Sequence, residues 1–157
     1  MLVGFICNLS FAADEFSLLR EERIGELRIN LSEQEVKKKI HCSLKLRPEK
    51  LWGADGAYHQ TWDYTGCGIR LGMVSEKKGA PKSIESITLV SPGNLSTKRG
   101  IRIGSTEQEV MDAYKPYWNK EDSKSFNIFV AGSVYGGLMF NFQNGKVSRI
   151  FLGAAAE

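Results

Sequence analysis

The residues of this chain that could do chemistry are concentrated in one short stretch, LWGADGAYHQTWDY, at residues 51–64. It holds two Trp, two Tyr, two Asp and one of only two His in the chain. Three kinds of site use such residues: a catalytic site with His as the base, a metal site built from Asp and His, and a binding surface whose contacts are aromatic.

Catalysis is the first of these possibilities. A nucleophile needs a base within hydrogen-bond reach, and the only histidines are His41 and His59. His41 adjoins Cys42, but neighbouring helical residues point in different directions, so it is poorly placed to activate that thiol. The sequence contains no nucleophile elbow, phosphate-binding loop or dinucleotide-binding motif. We therefore expect no enzymatic activity and no cofactor.

A metal site is the second possibility. Asp55, His59 and Asp63 are spaced four residues apart, which would align them on a helix. Two glycines, followed by the Thr-rich and aromatic run 61–65, favour instead a loop that enters a strand. In a strand Asp63 would separate from the other two side chains, so we expect a solvated loop here and no metal site.

A binding surface is the third possibility, and the one that we favour. The apolar alternation over 69–73 predicts a strand, and extending it backwards places Trp62, Tyr64 and Arg70 on the face away from the helices. Exposed aromatic and arginine side chains anchor many protein interfaces, although these aromatic residues would alternatively pack inside the molecule. The predicted binding residues are Trp52, Asp55, Tyr58, His59, Trp62, Tyr64, Arg70, Tyr135 and Met139.

The beginning of the chain predicts export. Residues 2–13 are almost wholly apolar and end in Ser-Phe-Ala-Ala, which fits signal-peptidase cleavage after Ala12. We expect 1–12 to be the remnant of a signal peptide; an apolar strand or helix of the fold is the alternative. The stretch is too short to span a membrane, so we expect a periplasmic or secreted bacterial protein with no stable membrane span.

Removal of that segment would leave two cysteines, Cys42 and Cys67. An even pair in an exported protein indicates a disulfide, and two buried free thiols are the alternative. Closing a loop of roughly 25 residues would stabilise the fold by about 3 kcal/mol.

The composition is that of an ordinary soluble domain, with 42% hydrophobic and 25% charged residues. The net charge is only +3, and the one run of basic residues, at 37–39, fits the solvated side of a helix. We therefore expect no binding of nucleic acid.

The chain contains an internal repeat. Residues 28–36 (RINLSEQEV) and 102–110 (RIGSTEQEV) share Arg, Ile, Glu, Gln, Glu and Val at matching positions. Each copy predicts a helix start, because Ser32 or Thr106 is followed three residues later by Glu, as in a capping box.

Alternating apolar residues follow each predicted helix. They predict strands at 69–73 and 84–89 after the first helix, and at 138–142 and 147–152 after the second. Gln-Asn-Gly-Lys at 143–146 predicts a tight hairpin between the last two strands.

The helix entry at 100–110 and the closing hairpin at 138–150 resemble two families. One is the beta-lactamase inhibitor protein family, and the other is the SmpA/OmlA family of outer-membrane assembly lipoproteins. The resemblance covers about residues 24–152. It implies an α+β fold of two tandem units, 24–92 and 93–157, each a helix-loop-helix followed by an antiparallel sheet, with the helices on one face of the sheet.

The resemblance also bears on function, because the two-unit inhibitors hold their partner on the concave face of the sheet. We predict a non-enzymatic protein-binding module that inhibits or neutralises a secreted or envelope enzyme or toxin, as a hydrolase inhibitor or an immunity protein does. A scaffold role in outer-membrane assembly and the binding of a small ligand or the cell wall are the alternatives.

Overall fold

The computed structural model describes residues 14–123 and 127–155, so the segment 1–12 predicted as a signal-peptide remnant lies outside the described residues. The described residues form one antiparallel sheet of eight strands and three short helices. None of these helices is long and apolar enough to cross a membrane. In chain order the elements are α1 (Ser17–Glu21), α2 (Glu33–Lys39), β1 (Lys45–Leu46), β2 (Lys50–Leu51), β3 (Tyr58–Tyr64), β4 (Ile69–Ser75), β5 (Ser83–Val90), α3 (Glu107–Tyr114), β6 (Ile128–Ser133), β7 (Gly136–Gln143) and β8 (Lys146–Gly153).

The strands follow the order β1-β3-β4-β5-β8-β7-β6, and β2 pairs with β3 at the same edge as β1. β5 and β8 pair at the centre, so both halves of the chain contribute to one continuous sheet. The predicted fold class, two tandem units that each consist of a helix-loop-helix and an antiparallel sheet, is therefore wrong.

The second helix of each predicted unit is missing from the described residues for local reasons. After α2 the chain becomes extended at Ile40, and the following residues form the two short edge strands β1 and β2. After α3 comes a single 3-10 turn, Lys115–Tyr117. Pro116 lies in this turn, where it lacks the amide donor that a continuing helix would need.

Both predicted capping boxes are confirmed. The hydroxyls of Ser32 and Thr106 accept a hydrogen bond from the amide of the Glu three residues later, whose carboxylate accepts one from the capping residue's own amide. Each helix start is also tied to the sheet in the same way. The carbonyl of Leu31 accepts from the amide of Ile84 in β5, and that of Ser105 accepts from Val147 in β8.

One face of the sheet packs against the helices and forms the core. The buried side chains of α1, α2 and α3 belong to the same apolar cluster as alternate residues of β3, β4, β5, β7 and β8. The remaining strand residues point to the opposite side of the sheet, which we call the open face. On the open face lie His59, Thr61, Asp63, Arg70, Gly72, Thr88, Val130, Met139, Arg149 and Phe151.

The predicted disulfide between Cys42 and Cys67 is confirmed, with the two Cα atoms 6.1 Å apart. It joins the segment that follows α2 to the turn between β3 and β4, and both cysteines pack against the core. The cross-link therefore holds the first edge of the sheet to its helical layer.

Candidate functional site

Two of the predicted binding residues lie in the core. Trp62 is in register with Leu71, and Tyr64 with Ile69, so both aromatic side chains point towards the helices. They are only 3% and 2% exposed. The prediction that Trp62 and Tyr64 are exposed on the face away from the helices is therefore wrong.

The cause is the turn that joins β3 to β4. Thr65–Cys67 form a 3-10 turn, and Gly68 follows in the left-handed region with a φ of 64°. A side chain at Gly68 would collide with the carbonyl oxygen of Val90. Because the chain reverses direction here, the alternation of β4 cannot be extended backwards into β3.

The β2–β3 hairpin brings three predicted residues together on the open face. Its loop is closed by two backbone hydrogen bonds, from the Trp52 amide to the Ala57 carbonyl and from the Gly56 amide to the Trp52 carbonyl. The Asp55 carboxylate accepts from the Ala57 amide. The indole of Trp52 lies flat on the imidazole of His59, with ring centroids 3.8 Å apart and planes 16° apart.

His59 is held between two carboxylates. Its Nε2 lies 2.8 Å from Oδ2 of Asp55, and its Nδ1 lies 2.8 Å from Oε1 of Glu85 in β5. Burial lowers the pKa of His59, but the hydrogen bonds and charges of Glu85 and Asp55 outweigh it, so the pKa is raised above its ordinary value. We call Trp52, Asp55, His59 and Glu85 the histidine clamp.

The histidine clamp predicts a pH-dependent stability. The pKa of His59 is higher in the folded chain than in the unfolded one, so its contribution is complete below the unfolded value of about 6.5 and disappears as the pH rises through the folded value. We expect the difference in unfolding free energy between wild type and His59→Gln to shrink as the pH rises above about 6.5, as measured by urea unfolding.

The other imidazole of the chain provides the control for this measurement. His41→Gln should keep the pH dependence of the wild type, because His41 is not part of the clamp. A difference between wild type and His59→Gln that stays constant or grows with pH would contradict the clamp.

A second group on the open face contains three arginines. The Nε of Arg47 donates to Oδ2 of Asp63 at 2.8 Å, and the Nε of Arg70 donates to the other oxygen of the same carboxylate. Arg149 comes from β8 and donates to Oδ1 of Asn141. Burial raises the pKa of Asp63, but Arg70 and Arg47 lower it overall. We call Arg47, Asp63, Arg70 and Arg149 the arginine cluster.

Two grooves connect these groups. The first has a volume of about 680 Å³ and runs across the sheet from Trp52 and His59 to Arg149 and Phe151. The second, of about 390 Å³, is lined by three residues of the arginine cluster and by hydroxyl-bearing side chains: Asp63, Arg70, Arg149, Thr65, Thr88 and Ser91. Arg149 lines both grooves, so the two form one continuous surface.

The remaining predicted residues lie apart from these groups. Tyr58 is half-buried and has the parity of the core face, while Tyr135 is 63% exposed in the turn between β6 and β7. Met139 does point to the open face, but it is only 6% exposed because it packs against Val130 and Phe151. Its prediction as an exposed contact residue is wrong.

The three residues spaced four apart, Asp55, His59 and Asp63, do not share one site. Asp63 lies on the same face of β3 as His59, but its carboxylate is engaged by Arg47 and Arg70. Among the residues that the structure describes, no group of three His, Cys, Asp or Glu side chains is arranged to hold a metal ion.

Sequence reasoning missed Glu85, Arg47 and Arg149. Glu85 and Arg149 lie in predicted strands, but each belongs to a pair of consecutive polar residues, so strict alternation does not assign their face. Their partners could not be read from the sequence, because those partners depend on β3 pairing with β4 and on β8 lying beside β5.

Comparisons of this chain with protein families, with curated proteins and with solved structures found no match. The resemblance to the beta-lactamase inhibitor protein and SmpA/OmlA families therefore stays a prediction. The geometry of the open face is the basis for what we infer about function.

Proposed function

We propose that this protein is a non-enzymatic binding protein that holds a protein partner on the open face of its sheet. The observation that carries this proposal is the groove of about 680 Å³ between Trp52 and Phe151. Trp52 remains 40% exposed at its rim, and Arg149 lines the same groove. Trp and Arg are among the residues that contribute most binding energy at protein interfaces.

The histidine clamp supports this proposal because it fixes Trp52 before any partner arrives. The indole is stacked on His59, and His59 is held from both sides by Asp55 and Glu85. A side chain that is already ordered loses little conformational entropy on binding, so more of its contact energy contributes to affinity.

The same clamp argues against catalysis by His59. Both ring nitrogens are engaged by carboxylates, so neither is available to take a proton from a nucleophile. The role that fits this imidazole is to position Trp52 and to attach the β2–β3 loop to β5.

We further propose that the protein is exported, and that its partner is an enzyme or toxin in the bacterial envelope or outside the cell. The disulfide supports this, because disulfides persist in oxidising compartments. The partner would be inhibited or neutralised by being covered, with the groove receiving one of its loops.

The test is affinity capture from the envelope and secreted fractions of the producing organism. We expect the wild-type chain to capture one enzyme or toxin, and Trp52→Ala to weaken its binding by at least about tenfold. Trp118→Ala is the matched control, because Trp118 is 36% exposed but lies beside β6 at the opposite edge of the sheet.

Circular dichroism first establishes that both variants are folded. Capture that does not depend on Trp52 would contradict the proposed surface. Recovery of outer-membrane assembly proteins would favour a scaffold role, and saturable glycan binding without any protein partner would favour a ligand-binding role.

A further inference from the structure

The arginine cluster contains more positive charges than negative ones. Two guanidinium groups, from Arg47 and Arg70, pair with the single carboxylate of Asp63. That of Arg149 lines a groove together with Asp63 and Arg70. The side chains of Arg47 and Arg70 are each 55% exposed, whereas that of Asp63 is 6% exposed. The cluster therefore presents an excess of positive charge to the groove, with its one negative charge below the surface.

The hydrogen-bond donors of the cluster are also only partly used. In the described contacts, Arg47 and Arg70 each bond to Asp63 through Nε alone, which leaves their Nη groups without a partner. Such free edges of a guanidinium group match the two oxygens of a carboxylate. Asp63 holds the two arginines in place, so less entropy is lost when they bind a second acid.

The position of the cluster indicates what kind of molecule would carry the acidic group that binds there. Arg149 lines both the groove along the cluster and the groove that runs to Trp52 and Phe151. A molecule that fills both must offer acidic groups at one end and apolar or aromatic surface at the other. A polypeptide segment with Asp or Glu side chains has this combination.

Other anions fit the cluster less well. The carboxylate of Asp63 lies between Arg47 and Arg70, where it would repel a compact dianion such as phosphate. A nucleic acid needs an extended track of basic residues, and the whole chain has a net charge of only +3. A carboxylate, with one negative charge and two oxygens, is the better match.

We propose that the arginine cluster receives Asp or Glu side chains from an acidic polypeptide segment of the partner. This inference rests on the proposed function and adds to it the chemistry of the partner: its contact surface is acidic where it meets β3, β4 and β8. Association should accordingly weaken as salt concentration rises.

The experiment measures the binding of fluorescein-labelled hexaglutamate to the full, oxidised chain by fluorescence anisotropy at low ionic strength. We expect saturable binding that weakens by about tenfold in Arg149→Gln and in Arg70→Gln. Arg149→Gln breaks no ion pair of the described structure, and Arg70→Gln leaves Asp63 paired with Arg47. Arg23→Gln and Arg102→Gln are the controls, because both residues are exposed and neither lines the two grooves of the open face.

Three results would overturn the inference. The first is that hexaglutamate does not bind to the folded wild type. The second is that Arg102→Gln loses as much affinity for hexaglutamate as Arg149→Gln does. The third is that a single-stranded oligonucleotide of equal charge binds more tightly than hexaglutamate, with the same dependence on the arginines. The first two would show that the cluster is not a specific acid site, and the third would show that its ligand is not a polypeptide.

The inference and the proposed function fail in different ways. If Arg149→Gln leaves binding of the captured partner unchanged while Trp52→Ala weakens it, the acidic contact is wrong and the binding surface stands. If hexaglutamate binds at the cluster but no protein is captured, the acid site stands and the proposed function is wrong.

Discussion

Replacing Trp62 by alanine is expected to lower the free energy of unfolding by about 3–5 kcal/mol. Trp62 is 3% exposed and packs in the core behind β3, so its removal leaves a cavity. Trp52→Ala is expected to cost no more than about 1.5 kcal/mol, because Trp52 is 40% exposed and loses mainly its stacking on His59. Urea unfolding with the disulfide intact measures both values.

This pair of variants distinguishes the two faces of the sheet. If Trp62→Ala costs less than Trp52→Ala, the assignment of core and open face is wrong. Tyr64→Phe is the control on the core side, since it keeps the buried ring. It removes a hydroxyl that has no hydrogen-bond partner among the described residues, so this variant should be no less stable than the wild type.

Glu22→Ala is expected to lower the free energy of unfolding by about 3–5 kcal/mol, as much as Trp62→Ala does. The carboxylate of Glu22 is fully buried, accepts from the Tyr114 hydroxyl at 2.8 Å and from the Lys98 amide at 2.8 Å, and pairs with Arg99 at 3.5 Å. Its removal leaves the Tyr114 hydroxyl and the backbone amides of Arg23 and Lys98 without this acceptor and breaks the ion pair with Arg99. Glu22 thereby joins the segment after α1 to the second half of the chain.

Two variants control this measurement by urea unfolding. Glu21→Ala changes the exposed neighbour within α1 and should stay within about 0.5 kcal/mol of the wild type. Tyr114→Phe removes one hydrogen bond to the buried charge and should cost about 1.5–3 kcal/mol. If Glu22→Ala were as stable as Glu21→Ala, the buried network would contribute nothing to the free energy of unfolding.

The elements that are predictable from the sequence are those whose signals are local. Ser32 and Thr106 each begin a helix because the capping box lies within four residues. Asn144 and Gly145 make the predicted hairpin turn because both adopt positive φ, which these residue types tolerate. The alternating apolar residues of β4, β5, β7 and β8 likewise indicate their strands without reference to the rest of the chain.

The face of Trp62 is not predictable in the same way. Its parity is defined only once the boundary between β3 and β4 is known, and the two glycines at 66 and 68 fit either a flat strand or a turn. The turn forms because Gly68 alone fits the left-handed backbone beside Val90. One misplaced turn exchanges the two faces of the preceding strand.

The histidine clamp and the arginine cluster depend on contacts between distant parts of the chain. Glu85 meets His59 only because β4 pairs with both β3 and β5, and Arg149 comes near Arg70 only through the β5–β8 pairing. These strand pairings cannot be inferred from the spacing of residues along the sequence. The fold class fails for a related reason, because the second helix of each unit was implied by the resemblance and not by the residues at those positions.

The most direct test of the open face is arginine footprinting of the protein with and without its captured partner. Phenylglyoxal modifies exposed guanidinium groups, and mass spectrometry measures the modification at each position. We predict that the partner protects Arg47 and Arg70 and leaves Arg23 and Arg102 unchanged. Protection of Arg23 and Arg102, with Arg47 and Arg70 still fully modified, would place the partner away from the open face and contradict the proposed binding surface.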